Sequence, residues 1–351
     1  GATVEDREGN PLDATKISAT GSVDTARPGT YTLKYNFVGA DGVSAKMVRR
    51  KVTVTDIVPP ELTLNGEAEM TVFIGSAWQD PGATATDNVD GNLAVMSSET
   101  IPTIGLAMHL DAGRIPSVED GGLIKSWPDI SGSGSHLNDV IGAGRFTASD
   151  IGGRPAVFLD GQTYMATSKT FSNRYTVATV ARLDGTLNRR LVSSRNQNWL
   201  HGFHNNHINC FHAAGWATHT VDWEFADTKP HLNISRSDTI KVRFWGDGVD
   251  KTIIPDRAGR HIGQFQLGGY QTGNESSAGY VSEVLLYDRA LADVEIEALH
   301  FHLNAKYGLQ GADPVNGPVN TQALGDYEVL YATVDSSGNR VTAKRVVHVT
   351  L

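Results

Sequence analysis

The residues best equipped for chemistry lie between positions 196 and 224. There Asn-Gln-Asn-Trp-Leu-His-Gly-Phe-His-Asn-Asn-His-Ile-Asn-Cys-Phe-His gathers amides, imidazoles, aromatic rings and Cys210, with Trp216 and Trp223 following. Sugar recognition asks for flat aromatic platforms beside planar hydrogen-bonding groups, and rings with a polar handle serve both needs. Asn198, Trp199, His201, His204, His207, Trp216 and Trp223 are the candidate ligand-binding residues. Trp245 and Tyr270 are of the same type, and at least half of these aromatics are expected to fill the core. If Asn205-Asn206 is a two-residue hairpin turn, His204 pairs with His207 and His201 faces Cys210. Alternation then sets Trp199, His201, Phe203, Ile208, Cys210 and His212 on one face. Leu200, Gly202, His204, His207, Asn209 and Phe211 take the other. The facing His204 and His207 can contribute to a transition-metal site, although a closed zinc site needs about four ligands. The plainer reading is surface imidazoles beside a turn, with His201, Cys210 and His212 in a core. Nothing marks an oxyanion hole near Cys210, so a Cys-His nucleophile pair is set aside.

A second candidate is the loop Asp87-Asn88-Val89-Asp90-Gly91-Asn92. Asp87, Asp90 and Asn92 supply the oxygen ligands that Ca²⁺ takes in sixes to eights. The loop lacks the spacing and closing Glu of an EF-hand, and Asx-rich turns bend backbone equally well without a metal. Glycosidase chemistry needs two carboxyls roughly 5–10 Å apart. Asp222 and Glu224 alternate correctly to share a face, but Asp247-Gly248 reads as a hairpin turn. No catalytic residue is assigned, and the chain is read as not an enzyme.

The elements that must position these residues are strands. Alternation of apolar with polar residues marks 30–36, 46–55, 69–74, 327–334 and 341–349 as strands with one buried face. Strand-like runs continue at 105–110, 156–159, 175–183, 239–245 and 280–287. One helix is predicted at 293–307, with Ile296, Leu299, Leu303 and Tyr307 on one face, acids at its start, and Lys306 then Gly308 at its close. A lone helix on a β domain reads as a cap on a sandwich. The chain has 351 residues, 40% of them hydrophobic, a net charge of −9 and one cysteine. That length implies two or three domains. The acidic balance argues against nucleic acid or an anionic membrane as the main partner. Apolar runs are only of strand length, so no membrane span is expected, and no internal disulfide can form.

A repeat organises the chain. Residues 21–35, Gly-Ser-Val-Asp-Thr-Ala-Arg-Pro-Gly-Thr-Tyr-Thr-Leu-Lys-Tyr, align with residues 317–331, Gly-Pro-Val-Asn-Thr-Gln-Ala-Leu-Gly-Asp-Tyr-Glu-Val-Leu-Tyr. Gly1-Ala2-Thr3 through Gly9-Asn10 echoes Gly82-Ala83-Thr84 through Gly91-Asn92. The two halves adjoin in the first copy and stand far apart in the second, so a second domain is expected inside the repeat. Three domains follow: a partial unit at 1–55, a split host at 56–102 and 316–351, and an insert at 103–315. The first copy has no counterpart of 57–81. The sequence therefore reads as cut inside a repeat, or as leaving a groove that a neighbouring copy or preceding chain fills with a strand.

Two families are resembled. Pro59-Pro60-Glu61-Leu62-Thr63-Leu64-Asn65-Gly66, Asp80-Pro81-Gly82-Ala83-Thr84-Ala85-Thr86-Asp87-Asn88-Val89-Asp90-Gly91-Asn92-Leu93 and Asp335-Ser336-Ser337-Gly338-Asn339 resemble the bacterial Ig-like domain of secreted surface proteins and insecticidal crystal proteins. That resemblance implies a spacer or stalk. Leu110-Asp111-Ala112, Trp127-Pro128-Asp129-Ile130-Ser131-Gly132 and Gly153-Arg154-Pro155-Ala156-Val157-Phe158-Leu159-Asp160-Gly161 resemble laminin-G-like, concanavalin-type jelly rolls. So do Glu283 through Leu291 and Leu303 through Leu309. This implies two packed antiparallel sheets and a sugar, protein or calcium ligand. The Glu-x-Asp-x-x-Glu run of jelly-roll hydrolases is missing. The expected chain is thus all-β: Ig-like sandwiches carrying an inserted two-sheet jelly roll with one C-terminal capping helix. It is expected at the cell surface or secreted, binding a carbohydrate or surface ligand, with Ca²⁺ as the one cofactor weighed. The competing reading is a structural repeat of a filament, stalk or coat, and a polysaccharide hydrolase or lyase ranks below both.

Overall fold

The computed structural model describes residues 1–185, 189–218, 224–271, 275–311, 315 and 317–351. Among these residues the chain is all-β apart from one α-helix and short 3₁₀ turns. It divides into two compact units, one of residues 1–66, 81–95 and 331–343, the other of 67–80, 96–330 and 344–351.

The second unit is built on two large antiparallel sheets. In the first, Ala278–Tyr287 and Arg174–Leu183 pair at the centre, from Thr176 opposite Tyr287 to Leu183 opposite Gly279. Ala156–Asp160, Gly144–Thr147 and Leu123–Ile124 extend it on one side, and His231–Asp238, Val242–Gly246 and Val249–Asp250 on the other, while Leu106–Asp111 pairs with the end of Ala278–Tyr287. The other sheet runs Leu137–Ile141, Tyr164–Thr167, Phe265–Leu267, Val192–Ser194, Leu200–His204, His207–His212. Between them lies a continuous core that includes Trp127, Tyr175, Trp199, Phe203, Phe211, Phe244, Phe265 and Val284. Each such side chain withdrawn from water contributes roughly 1.5–3 kcal/mol, and this burial is what holds the sheets face to face.

On the far face of the larger sheet sits the predicted helix, Asp293–Tyr307. Ile296, Leu299, Leu303 and Tyr307 cover Ala178, Val180, Leu232, Ile234 and Leu285, as the spacing required. Gly308 closes it in the left-handed conformation at φ 61°. The start has Ala292 where a side-chain cap would sit. Glu295 compensates by accepting the Ala292 N–H at 2.8 Å while gripping the Arg289 guanidinium with both oxygens at 2.7 and 2.5 Å. The strand predicted at 239–245 begins only at Val242. Thr239 has φ 91°, and Asp238 accepts the N–H groups of Ile240 and Lys241, so the first residues form a turn.

In the first unit, Ser18–Thr20, Gly29–Asn36 and Val48–Val54 form one sheet and Glu61–Leu64, Ala83–Asp87 and Gly91–Leu93 another. No residue from 1 to 55 is buried. Gly325–Val334 and Arg340–Thr350 run through both units. In the second unit, Val346–Thr350 pairs in parallel with Glu69–Phe73.

Candidate functional site

The hairpin that carries His201, His204 and His207 forms as expected at its tip. Asn205 and Asn206 take φ 45° and 68°, and His204 pairs with His207. These positive values suit asparagine, which tolerates the left-handed region better than most residues. Further along, the expectation fails. Asn209 adopts φ 59° and the register shifts, so Gly202 pairs with Cys210 and His201 with Phe211. A bulge of one residue reverses the faces beyond it. Phe211 therefore joins the core, and His201 does not face Cys210.

Trp199 and His201 are corrections to the ligand-binding set. Both are fully buried. Trp199 donates from Nε1 to the Tyr175 hydroxyl at 2.9 Å and stacks on His201. His201 meets the hydroxyls of Ser235 and Thr179 at 3.0 and 3.1 Å, and burial pushes its pKa down to about 3. A neutral imidazole between two hydroxyls is a satisfied core group. Cys210 is fully buried as well, and burial raises its pKa far above that of a reactive thiol. Trp223 and Asp222 lie outside the described residues.

Asn198, His204 and Trp216 do come together, with His212 and Tyr270 and with two residues the sequence did not point to, Arg190 and Glu275. The Trp216 ring lies 5.2 Å from His204 and 5.0 Å from His212, edge-on to the latter. His212 Nδ1 is 3.0 Å from the Asn198 carbonyl oxygen. Glu275 Oε2 stands 3.8 Å from His204 Nδ1 and accepts from Arg190 Nε. The Arg190 guanidinium in turn lies 4.6 Å above the centre of the Tyr270 ring. Burial, with Arg190 assisting, lowers the pKa of His204. Burial lowers that of His212 as well, against the Asn198 carbonyl. Asn198, His204, His212, Trp216, Tyr270 and Glu275 are half-buried, whereas Arg190 is 5% exposed. Arg190 Nη1 and Asn198 Oδ1 are buried atoms without a hydrogen-bond partner. His207 sits beside this group, stacked at 5.3 Å on the exposed Phe225.

Among the described residues, two groups place His, Asp or Glu ligand atoms within 4.8 Å of one another, and the His204–His207 pair is in neither. In one, His109, Asp111 and Glu283, the Lys306 ammonium donates to Asp111 at 2.8 Å and to Glu283 at 2.7 Å. The other is Asp56, Asp87 and Asp335. Of the three residues expected to hold calcium, Asp87 is in this group and Asp90 and Asn92 are not. Asp90 spends both oxygens on Ser336, at 2.7 and 2.9 Å, and Asn92 is exposed in the ladder opposite Thr86.

Residues 1–54 and 312–349 match the family model of the bacterial surface protein, Ig-like domain. No curated protein sequence matches the chain. Among solved structures, domain 4 of AbnA, an extracellular GH43 arabinanase from Geobacillus stearothermophilus, is similar at 17% identity and a TM-score of 0.40, over 56% of this chain and 98% of that one. The binding domain of Paraclostridial Mosquitocidal Protein 1 is similar at 15% identity and 0.40, over 56% of this chain and 52% of that one. A mutant Trypanosoma rangeli sialidase is similar at 17% identity and 0.41, and the chain spans 34% of its length. No described helix is long and apolar enough to cross a membrane.

Proposed function

We propose that this chain is a non-catalytic segment of a bacterial cell-surface or secreted protein. Its two-sheet domain, residues 103–315, is an insert in the Ig-like host of 56–102 and 316–351, and it binds a carbohydrate at the Trp216 cluster. The observation that carries the reading is Arg190. A guanidinium that is 5% exposed and holds one nitrogen without a partner costs about 1–3 kcal/mol, a cost that a ligand oxygen would remove. Around it stand the surfaces a sugar needs: the Trp216 and Tyr270 rings, two imidazoles, the Asn198 amide and the Glu275 carboxylate. Because Glu275 balances Arg190, the cluster favours an uncharged sugar. The surface assignment rests on the Ig-like family match. Against catalysis stands the Asp111–Glu283 pair, which is tied up by the Lys306 ammonium.

The test is a glycan-array screen of the full chain with and without calcium, followed by titration calorimetry of any hit. Trp216→Ala and Arg190→Gln should each weaken binding by about tenfold or more, a loss of about 1.4 kcal/mol. Absence of a hit across broad polysaccharide classes, or a hit indifferent to both substitutions, defeats the reading.

One observation favours a second reading, a structural repeat of a filament or coat. The sheet formed by residues 18–54 carries apolar Val38, Val43, Met47 and Val48 exposed, which suits a surface covered by another copy. Concentration-dependent assembly in light scattering would support it, and a strictly monomeric chain would remove it.

A further inference from the structure

The first unit brings three carboxylates from three separate segments to one point. Asp56 lies between the strands Val48–Val54 and Glu61–Leu64, Asp87 ends Ala83–Asp87, and Asp335 follows Gly325–Val334. One oxygen of each falls within 4.8 Å of the others. Like charges at that spacing repel, by several kcal/mol where the medium is protein-like, so the arrangement needs a compensating cation. Uncharged groups donate to several of their oxygens. Asp56 Oδ1 accepts the Val58 N–H, and Asp87 Oδ1 accepts those of Val89 and Asp90. Asp335 accepts from the N–H groups of Ser337 and Asn339 and from the Asn339 side-chain amide.

Two further oxygens point to a ligand. Asp56 is 9% exposed and its Oδ2 has no hydrogen-bond partner, and Asp87 Oδ2 is likewise buried without one. A buried carboxylate oxygen without a hydrogen-bond donor is among the costliest groups a fold can carry. A hard divalent cation removes that cost, and carboxylate oxygens are its natural ligands.

We propose that Asp56, Asp87 and Asp335 form a Ca²⁺ site, with water completing the coordination sphere. The site clamps the segment that joins the sheet of residues 18–54 to the strand Glu61–Leu64. Asn339 reinforces the clamp by donating to the Asp56 carbonyl oxygen at 3.1 Å and to Asp335 at 2.6 Å. The proposal is independent of the sugar-binding reading.

The test uses the full chain, stripped of metal with a chelator and titrated with CaCl₂ by calorimetry and by thermal melting. Saturable binding is expected, with Kd on the order of 0.1–1 mM as in other extracellular modules. Tm should rise by about 5 °C or more at saturation. Asp56→Asn and Asp87→Asn should each abolish that binding and that rise. In chelator the same variants should melt no lower than the unsubstituted chain, since each removes a repelling charge. Binding and Tm gain that persist in both variants overturn the site, as does a chain that takes up no Ca²⁺ at about 10 mM. Variants that melt much lower in chelator would show the carboxylates to be structural and would overturn it too.

Discussion

Glu283 and Lys306 form an ion pair of 2.7 Å inside the second unit, where Glu283 is 1% and Lys306 7% exposed. Burial alone would push the Glu283 carboxyl pKa up, but Lys306, with His109 beside it, reverses the sign and holds it far below the usual range. Tyr307 donates its hydroxyl to the same carboxylate at 2.8 Å. The pair therefore joins the central strand Ala278–Tyr287 to the last turn of the helix. Lys306→Met leaves two carboxylates facing each other with only the His109 ring against them and should cost about 3–5 kcal/mol. Glu283→Gln combined with Lys306→Met should recover part of that loss. Denaturant melts of the single and double variants measure both, and additive losses would mean the two side chains are not coupled.

The histidines set the acid limit of the fold. Burial depresses the pKa of His201 to about 3 and those of His300 and His302 to about 4. Below the unfolded value near 6.5, the unfolded chain takes up protons that these rings refuse. Their stability is thus present above about pH 6.5 and lost as pH falls toward the folded values. His231 works in the opposite sense. Burial lowers its pKa, but Asp247 at 2.7 Å and Asp227 at 2.9 Å outweigh that and raise it. Its contribution is full below about pH 6.5 and disappears as pH rises through the raised value. Tm should therefore fall steeply from about pH 6.5 to about pH 4. His201→Gln should flatten that fall, and His231→Gln should cost more at about pH 5 than at about pH 9.

The motifs most legible in the sequence turn out to be those that build this interior. Asp111 belongs to Leu110-Asp111-Ala112, Glu283 to the run ending at Leu291, and Lys306-Tyr307 to the helix close, and the three meet at one ammonium group. Arg154 adds hydrogen bonds to the carbonyls of Lys306, Val315 and Gly317. Asp129 holds the loop after Trp127 by accepting the N–H groups of His109, Ser131 and Ser135. Short-range patterns of this kind encode packing, so fold class, helix face and hairpin tip could all be read. The ligand cluster could be read only in part: Asn198, His204, Trp216 and Tyr270 are legible by residue type, and their assembly with Arg190 and Glu275 is not. Arg190, Tyr270 and Glu275 come from distant loops, and no local spacing ties them to Trp216. Which face His212 occupies depends on a bulge at Asn209 that alternation cannot foresee.

Two adjacent glycines separate close approach from backbone strain. Gly152 has φ 60°, and a Cβ there would sit 2.2 Å from the Tyr307 carbonyl oxygen. Gly153 has φ 71° but open space around it. Gly153→Ala should cost about 1–2 kcal/mol from the left-handed conformation alone. Gly152→Ala must also displace the end of the helix, and should cost about 3 kcal/mol or more. Equal losses in thermal melts would mean the helix end yields freely.

Trp199 and Trp216 should part company when each is truncated. Trp199 is fully buried among Tyr175, His201 and Phe265, and its Nε1–H is spent on the Tyr175 hydroxyl. Trp199→Ala should cost about 3–5 kcal/mol through the cavity it leaves, and it would strand that hydroxyl. Trp216 is half-buried and flanked by the His204 and His212 imidazoles. Trp216→Ala should lose no more than about 1–2 kcal/mol of stability, with its main effect on ligand. Fluorescence makes the contrast measurable in one experiment, because a sugar seated on Trp216 changes its emission and leaves that of Trp199 untouched. In the Trp216→Phe variant the sugar-dependent change should vanish while the melting temperature holds. A sugar-dependent signal that survives this substitution would move the binding surface elsewhere on the domain.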